Sequence, residues 1–310
     1  MMRATYITLL TMFACALAGC FTYVDRPDLP EEERGEEARA DWIVSAERAS
    51  EILEATGAVI LDTRSPDAFS TINTLTGSSN VTWQEFSRQD APYRGLLLDD
   101  VTLLEQRLGA LGVARSRHVL VIGDPAGGWG EDGRIVWMLR ALGHQGASIV
   151  DGGYDALAKL DENDRWEIID APVAFEVTPG EELTANITQV EEALEGGDAV
   201  LLDTREAREY NGEVPYGETR GGHLPDAVHV HFSEFIDAET GSMLPATAIE
   251  ARLEALGVTP DREVIAYCTG GVRSAWVIVM LRHLGYEKAR NYAGSMWEWS
   301  SMPAETHPLE

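Results

Sequence analysis

A chain of 310 residues, 45% of them apolar, has enough material for two domains with real cores. Its 52 acidic residues against 24 basic ones leave a formal charge of −28, and a surface of that sign repels the phosphates of nucleic acid. The charge reads as a device for solubility rather than the mark of a partner.

The first twenty residues stand apart from the rest. Arg3 supplies a short positive start, and residues 4–17 form an apolar run too short to span a bilayer comfortably. Leu17-Ala18-Gly19-Cys20 follows and resembles the bacterial lipobox. That resemblance implies a lipoprotein signal peptide over 1–20, with Cys20 the lipidated first residue of the mature chain. It also implies a protein anchored by lipid at the cell envelope, on its periplasmic or extracytoplasmic face. The alternative is an ordinary signal peptide in which Cys20 is incidental. On the lipobox reading Cys15 is removed and Cys20 is blocked, so only Cys268 of the three cysteines remains a free thiol and no internal disulfide can form. Residues 21–41, acidic and without periodicity, read as a tether.

Beyond the tether the chain repeats itself. Val59-Ile60-Leu61-Asp62-Thr63-Arg64 returns as Val200-Leu201-Leu202-Asp203-Thr204-Arg205. Leu111-Gly112-Val113 returns as Leu256-Gly257-Val258, and Met138-Leu139-Arg140 as Met280-Leu281-Arg282. A period this long means duplicated domains, placed at 42–160 and 183–303 with a polar linker over 161–182 and a tail over 304–310. In the second copy the patterns predict strands at 199–202, 264–267 and 289–292, and helices at 187–194, 249–256 and 274–284. Alternation of this kind predicts an α/β fold, each copy a parallel sheet with helices on both faces.

The segment Tyr267-Cys268-Thr269-Gly270-Gly271-Val272-Arg273-Ser274 carries the chemistry. A strand ends at Tyr267 and a helix starts near Ser274, which puts Cys268 at the carboxyl end of a sheet strand, where open α/β folds bind ligands. Gly270 and Gly271 let successive N–H groups turn inward as an anion nest, and the helix N-terminus adds its positive dipole end. A cysteine so placed is held as thiolate. Arg273 adds a fixed charge with a fork of donors.

Strand, Cys268-Thr269-Gly270-Gly271-Val272-Arg273 and helix resemble the active-site loop of the rhodanese family. Asp203-Thr204-Arg205 with Glu209-Tyr210-Asn211-Gly212 resembles the family's opening motif. Gly222-His223-Leu224-Pro225-Asp226-Ala227 resembles its Gly-His-Ile-Pro-Gly-Ala, departing at Asp226. Residues 292–299, with Trp297 and Trp299, resemble the closing motif of two-domain thiosulfate and 3-mercaptopyruvate sulfurtransferases. The resemblance spans about residues 42–303 and implies two tandem rhodanese-like domains. It implies sulfur transfer by a Cys268 persulfide, with Thr269, Gly270, Gly271, Val272 and Arg273 holding the anionic sulfur.

Arg205 follows a strand end where related enzymes place an arginine near substrate, but its match Arg64 leaves open a purely structural role. His223 reads as a scaffold histidine, and Trp297 and Trp299 as residues closing the cleft. The resemblance also implies a small anionic sulfur donor, an acceptor that is a thiol, cyanide or protein thiol, and no metal or organic cofactor. The donor stays open between thiosulfate and 3-mercaptopyruvate: the neutral Thr269-Gly270-Gly271 resembles the mercaptopyruvate enzymes, whereas the Arg273 that ends the loop resembles many single-domain bacterial members and tips the reading to thiosulfate. The loop of four residues between Cys268 and Arg273 is shorter than the five of tyrosine-phosphatase-type loops, which favours sulfur over phosphate. The first copy puts Gly123 or Asp124 opposite Cys268, depending on register, and is expected to be structural and to wall the cleft. Gly127-Gly128-Trp129-Gly130 lacks the Lys-Ser/Thr of a phosphate loop. A rival reading is a non-catalytic exported protein that senses thiols or binds a partner on the same fold. Because a negative surface repels an anionic donor within a screening length of about 8 Å, activity is expected to rise with moderate salt.

Overall fold

The structure is a computed structural model that describes residues 42–71, 74–161, 166 and 171–310; the leader, Cys20 and the tether lie outside the described residues. Two five-stranded sheets follow one another along the chain. The first contains β1 (Ile43–Val44), β2 (Ala58–Asp62), β3 (Ser79–Asn80), β4 (His118–Ile122) and β5 (Ala147–Val150), in the order β1-β5-β4-β2-β3. The second contains β6 (Thr184–Ala185), β7 (Val200–Asp203), β8 (Val228–His229), β9 (Val264–Tyr267) and β10 (Ala289–Tyr292), in the matching order β6-β10-β9-β7-β8. The strand pairs are parallel.

Period two along the strands explains how each sheet comes to be covered on both sides. In the first copy Val59, Leu61, Val119 and Val121 join one apolar cluster, while Ala58, Ile60, Leu120 and Ile122 join another. In the second, Val200, Leu202, Val264 and Ala266 belong to that same first cluster, and Leu201, Ile265 and Tyr267 to a third. The shared cluster therefore runs through both copies. Around the first sheet lie α1 (Ala46–Thr56), α2 (Pro66–Thr71), α3 (Val101–Ala110), α4 (Glu131–Ala141) and α5 (Gly153–Ala158). Around the second lie α6 (Ile187–Gly196), α7 (Ala207–Tyr210), α8 (Ala246–Ala255), α9 (Arg273–His283) and α10 (Ser295–Trp299). Helices α4 and α9 pack on each other at the junction, with Trp137, Met138, Val277 and Met280 fully buried there. Burying side chains of this size stabilises the junction by roughly 1.5–3 kcal/mol each.

Two expected connections turn out to be part of the packing. The described part of the 161–182 linker is strapped along the first copy. The Val173 N–H donates to the Gly109 carbonyl at 2.9 Å, the Thr178 N–H to that of Leu142 at 3.1 Å, and Phe175 is buried. The expected tail is docked on the second copy, because His223 and Glu310 exchange both backbone hydrogen bonds at 2.9 Å. Trp299 Nε1 donates to the Pro308 carbonyl at 3.1 Å. Asp226, which stands where the family motif has a glycine, takes a left-handed φ of 57° that aspartate tolerates better than most residues.

Candidate active site

Cys268 is the first residue beyond β9, and the loop from it to the start of α9 is held open from outside. The N–H groups of Met296 and Trp297 donate to the carbonyls of Cys268 (3.1 Å) and Thr269 (2.9 Å). The Cys268 N–H donates to Ser295 Oγ at 3.1 Å, and that hydroxyl donates on to the Tyr292 carbonyl at 2.6 Å. With the first carbonyls tied back to α10, amide hydrogens are left facing the sulfur, and the Gly271 N–H donates to Cys268 Sγ at 3.1 Å. Gly271 has a φ of +77°, which glycine adopts without strain. A Cβ at Gly270 would overlap the Trp297 ring.

The electrostatics follow from this placement. Cys268 is 1% exposed. Burial alone pushes its thiol up; the Arg273 charge, the Ser274 N–H and hydroxyl and the Gly270 N–H together outweigh that and hold it below an ordinary thiol. Arg273 is itself buried and gripped from behind, its Nη1 donating to Glu209 Oε2 at 2.6 Å and its Nη2 to Glu209 Oε1 at 2.9 Å. Its Nη2 also donates to Thr269 Oγ1 at 2.6 Å, and that hydroxyl donates to Glu209 Oε1 at 2.6 Å. Burial pushes the Glu209 carboxyl up, but Arg273 and Thr269 outweigh it and the group stays ionised below its usual range.

Above the sulfur opens a cleft of about 250 Å³, and its walls come from both copies. The second copy gives Cys268, Thr269, Gly270, Val272, Arg273, Tyr216 and Trp297; the first gives Trp83, Gln84, Trp129 and Glu131. Trp83 stacks with Trp297 across the junction at 6.4 Å between ring centroids, and Trp129 meets Tyr216 edge-on at 5.1 Å. Burial pushes the Glu131 carboxyl up, although the Trp129 N–H donates to it at 2.6 Å. A larger cavity of about 570 Å³ lies on the first copy beside Asn80, Phe86 and Arg107, and none of its lining residues is a cysteine.

Among the candidate residues, the structure gathers Cys268, Thr269, Gly270, Val272 and Arg273 around the cleft, with Gly271 giving its N–H to the sulfur. It does not bring Arg205 there. Arg205 is wholly buried, forks onto Asp203 (Nη2–Oδ2 2.6 Å) and donates to the Gly222 carbonyl at 2.8 Å. Arg64 makes the same 2.6 Å fork onto Asp62 in the other copy, so the position holds a strand end in place and Arg205 is corrected to a scaffold residue. Trp299 is likewise a core residue and does not line the cleft, unlike Trp297. His223 stacks on Tyr210 at 3.7 Å, outside the cleft.

The residues that sequence reasoning missed are Glu209, Tyr216, Trp83, Gln84, Trp129 and Glu131. Only Glu209 left a signal, since a buried Arg273 demands a counter-charge. Among the described residues no cluster of His, Cys, Asp and Glu could hold a metal ion, and no helix is long and apolar enough to cross a membrane.

Fold and site together define a duplicated α/β enzyme built around an anion-stabilised cysteine. A family model described as the rhodanese-like domain matches residues 45–160 and again 186–302. The thiosulfate sulfurtransferase of Azotobacter vinelandii is 32% identical over 203 residues, covering 64% of this chain and 73% of that protein. The 3-mercaptopyruvate sulfurtransferase of Escherichia coli is 28% identical over 194 residues, covering 62% and 68%. A solved structure of an anaerobic ergothioneine biosynthesis enzyme from Chlorobium limicola, with trimethyl histidine bound, shares the fold. Its TM-score is 0.72 at 18% identity, over 88% of this chain and 70% of that one. The chain belongs to the rhodanese family, with two tandem domains, and is an enzyme of the sulfurtransferase type.

Proposed function

We propose that this protein moves a sulfane sulfur from thiosulfate, or from 3-mercaptopyruvate, to a thiophilic acceptor through a persulfide on Cys268. The observation that carries the reading is the sulfur inside its ring of donors, with the Gly271 N–H 3.1 Å away and the Arg273 charge beside it. The Cys268 thiolate attacks the outer sulfur of thiosulfate; a new S–S bond forms, the old one breaks, and sulfite leaves with the bonding pair. With 3-mercaptopyruvate the C–S bond breaks instead, and the departing enolate takes a proton to become pyruvate. The terminal sulfur is then an anion, and the loop donors that favoured the thiolate favour it too. A thiol, cyanide or protein thiol attacks that sulfur, the S–S bond breaks, and the Cys268 thiolate is restored. No electrons are gained or lost overall.

Thiosulfate is the favoured donor because Arg273 ends the loop, and an organic thiol fits the aromatic walls of a 250 Å³ cleft as acceptor. A non-catalytic thiol sensor is disfavoured by the donors of Gly270, Gly271 and Ser274 gathered around Cys268, the free cysteine among the described residues. Intact-mass measurement after thiosulfate treatment tests the reading. The expected gain is about 32 Da, absent in Cys268→Ser and removed by cyanide, whereas an oxidised sulfinic acid would resist cyanide. No gain with either donor contradicts it.

We place this activity at the cell envelope, held by lipid on Cys20. Palmitate labelling that disappears in Cys20→Ala supports that location, and an unlabelled wild-type chain contradicts it.

A further inference from the structure

The first copy contributes more than aromatic walls. Arg134, on α4, is 1% exposed, and its guanidinium reaches across the junction to the cysteine loop. Nη1 donates to the Gly271 carbonyl at 3.1 Å, and Nη2 donates to the Gly95 carbonyl at 2.6 Å and to Ser87 Oγ at 3.1 Å. Among the described residues no carboxylate lies within ion-pair distance of it. A buried guanidinium without a counter-ion is costly. The helix position does not require one, because the matching residue on α9, by the Met138 and Met280 correspondence, is the apolar Trp276.

From these contacts we infer that Arg134 is a positioning residue for the sulfur site, fixing the Gly271–Val272 peptide and setting an unneutralised positive charge beside Cys268. Asn291 Nδ2 donates to the same Gly271 carbonyl at 3.1 Å, so two donors pull that oxygen outward. In a trans peptide the N–H opposes the C=O, and the Val272 N–H is thereby turned away from Arg134. The charge adds to that of Arg273, whose guanidinium is shared with Glu209. The other ionisable groups around the site are Glu131, Tyr216 and Glu218, His231, which feels the charges of Arg273 and Glu209, and Arg94, whose guanidinium lies 4.5 Å over the Trp297 ring. Arg134 is the buried cation that, beside Arg273, bonds the cysteine loop itself. Burial pulls its guanidinium down to about 9, with the Cys268 charge pushing it back up, so it stays protonated at neutral pH. The copy that lost the nucleophile thus keeps a charge for its twin. The effect on the thiolate stands apart from the persulfide reading; only its extension to the bound sulfur rests on that reading.

The test uses the full chain with Arg134→Gln, which removes the charge but keeps a side-chain amide donor, and Arg134→Lys, which keeps the charge but loses the fork. The pH profile of Cys268 alkylation by iodoacetamide reads the thiolate, and this signal needs no sulfur transfer. Arg134→Gln is expected to move the midpoint up by about one pH unit and to lower kcat for thiosulfate about tenfold, with KM little changed. Arg134→Lys is expected to keep the midpoint within a few tenths of a unit while kcat falls about threefold. A folded Arg134→Gln protein with an unmoved midpoint overturns the charge role. An Arg134→Lys protein with wild-type kcat overturns the peptide-fixing role, and that arm remains readable if the Gln variant fails to fold. If alkylation shifts as expected while wild type takes up no sulfur, the persulfide reading fails and the inference survives.

Discussion

Strand pairing sets Asp62 opposite Ile122 in the first copy and Asp203 opposite Tyr267 in the second, so Gly123 stands where Cys268 does. From there the copies diverge in sign. Helix matching puts Glu131 opposite Arg273 and Asp132 opposite Ser274, and the intervening loop is three residues longer in the first copy. Where the second copy surrounds a sulfur with donors, the first fills the space with carboxyl groups: a Cβ at Gly123 would meet Asp132 Oδ2 at 3.0 Å. Burial pushes the Asp132 carboxyl up to about 7. The Asp-Arg forks at the ends of β2 and β7 are alike. Duplication kept the scaffold, inverted the electrostatics of one loop, and turned what remained, Trp129, Glu131 and Arg134, toward the surviving nucleophile.

That contrast can be broken at several places. The largest effect is expected where the copies agree. Arg64→Ala and Arg205→Ala each leave a buried aspartate unpaired, and each is expected to cost about 3–5 kcal/mol in urea unfolding. The donor KM of the folded Arg205→Ala enzyme should be unchanged. A stable Arg205→Ala enzyme with a raised KM would return that residue to the substrate site.

Next comes Glu209→Gln, which loosens the grip on Arg273 and is expected to cost about 1–3 kcal/mol at neutral pH. Because the folded Glu209 carboxyl lies below its unfolded value, its stabilisation is present above about pH 4.3 and is lost as pH falls through the folded value. The gap between variant and wild type should therefore close in acid. A gap that widens there would contradict the ion pair.

The smallest effect has the opposite sign. Asp132 holds a proton in the folded protein up to about pH 7 that the unfolded chain releases near the ordinary aspartate value of 3.8, so its contribution declines as pH rises between those values. Asp132→Asn is expected to match wild type near pH 4 and to exceed it by about 1–2 kcal/mol at pH 8. Equal stabilities at both pH values would show that the carboxyl is not strained by burial.

The parts of this molecule that are local in sequence are legible from the residues alone. The repeated Asp-Thr-Arg announces two copies of one sheet, and the stretch from Cys268 to Arg273 holds the nest within six consecutive residues. Arg205 is ambiguous at that level because a strand-end arginine reads the same whether it faces a ligand or the aspartate two residues back. The choice between Gly123 and Asp124 needs strand register, which composition does not carry. Trp83, Trp129 and Glu131 reach the cleft, and Arg134 the loop carbonyl of Gly271, only because the first copy packs on the second through α4 and α9, and that packing is tertiary. The linker and tail look polar and loose, yet backbone pairing such as that of His223 with Glu310 depends on no side-chain pattern.

Everything chemical here depends on a sulfur kept ionised in a buried place. The most direct measurement is the rate of iodoacetamide reaction at Cys268 in the wild-type chain as a function of pH. A midpoint below the ordinary thiol value of about 8.5, lost when Arg273 is replaced by methionine, is the expected result. A midpoint at or above that value would mean that burial outweighs the loop donors, and the site would not be a sulfur cradle.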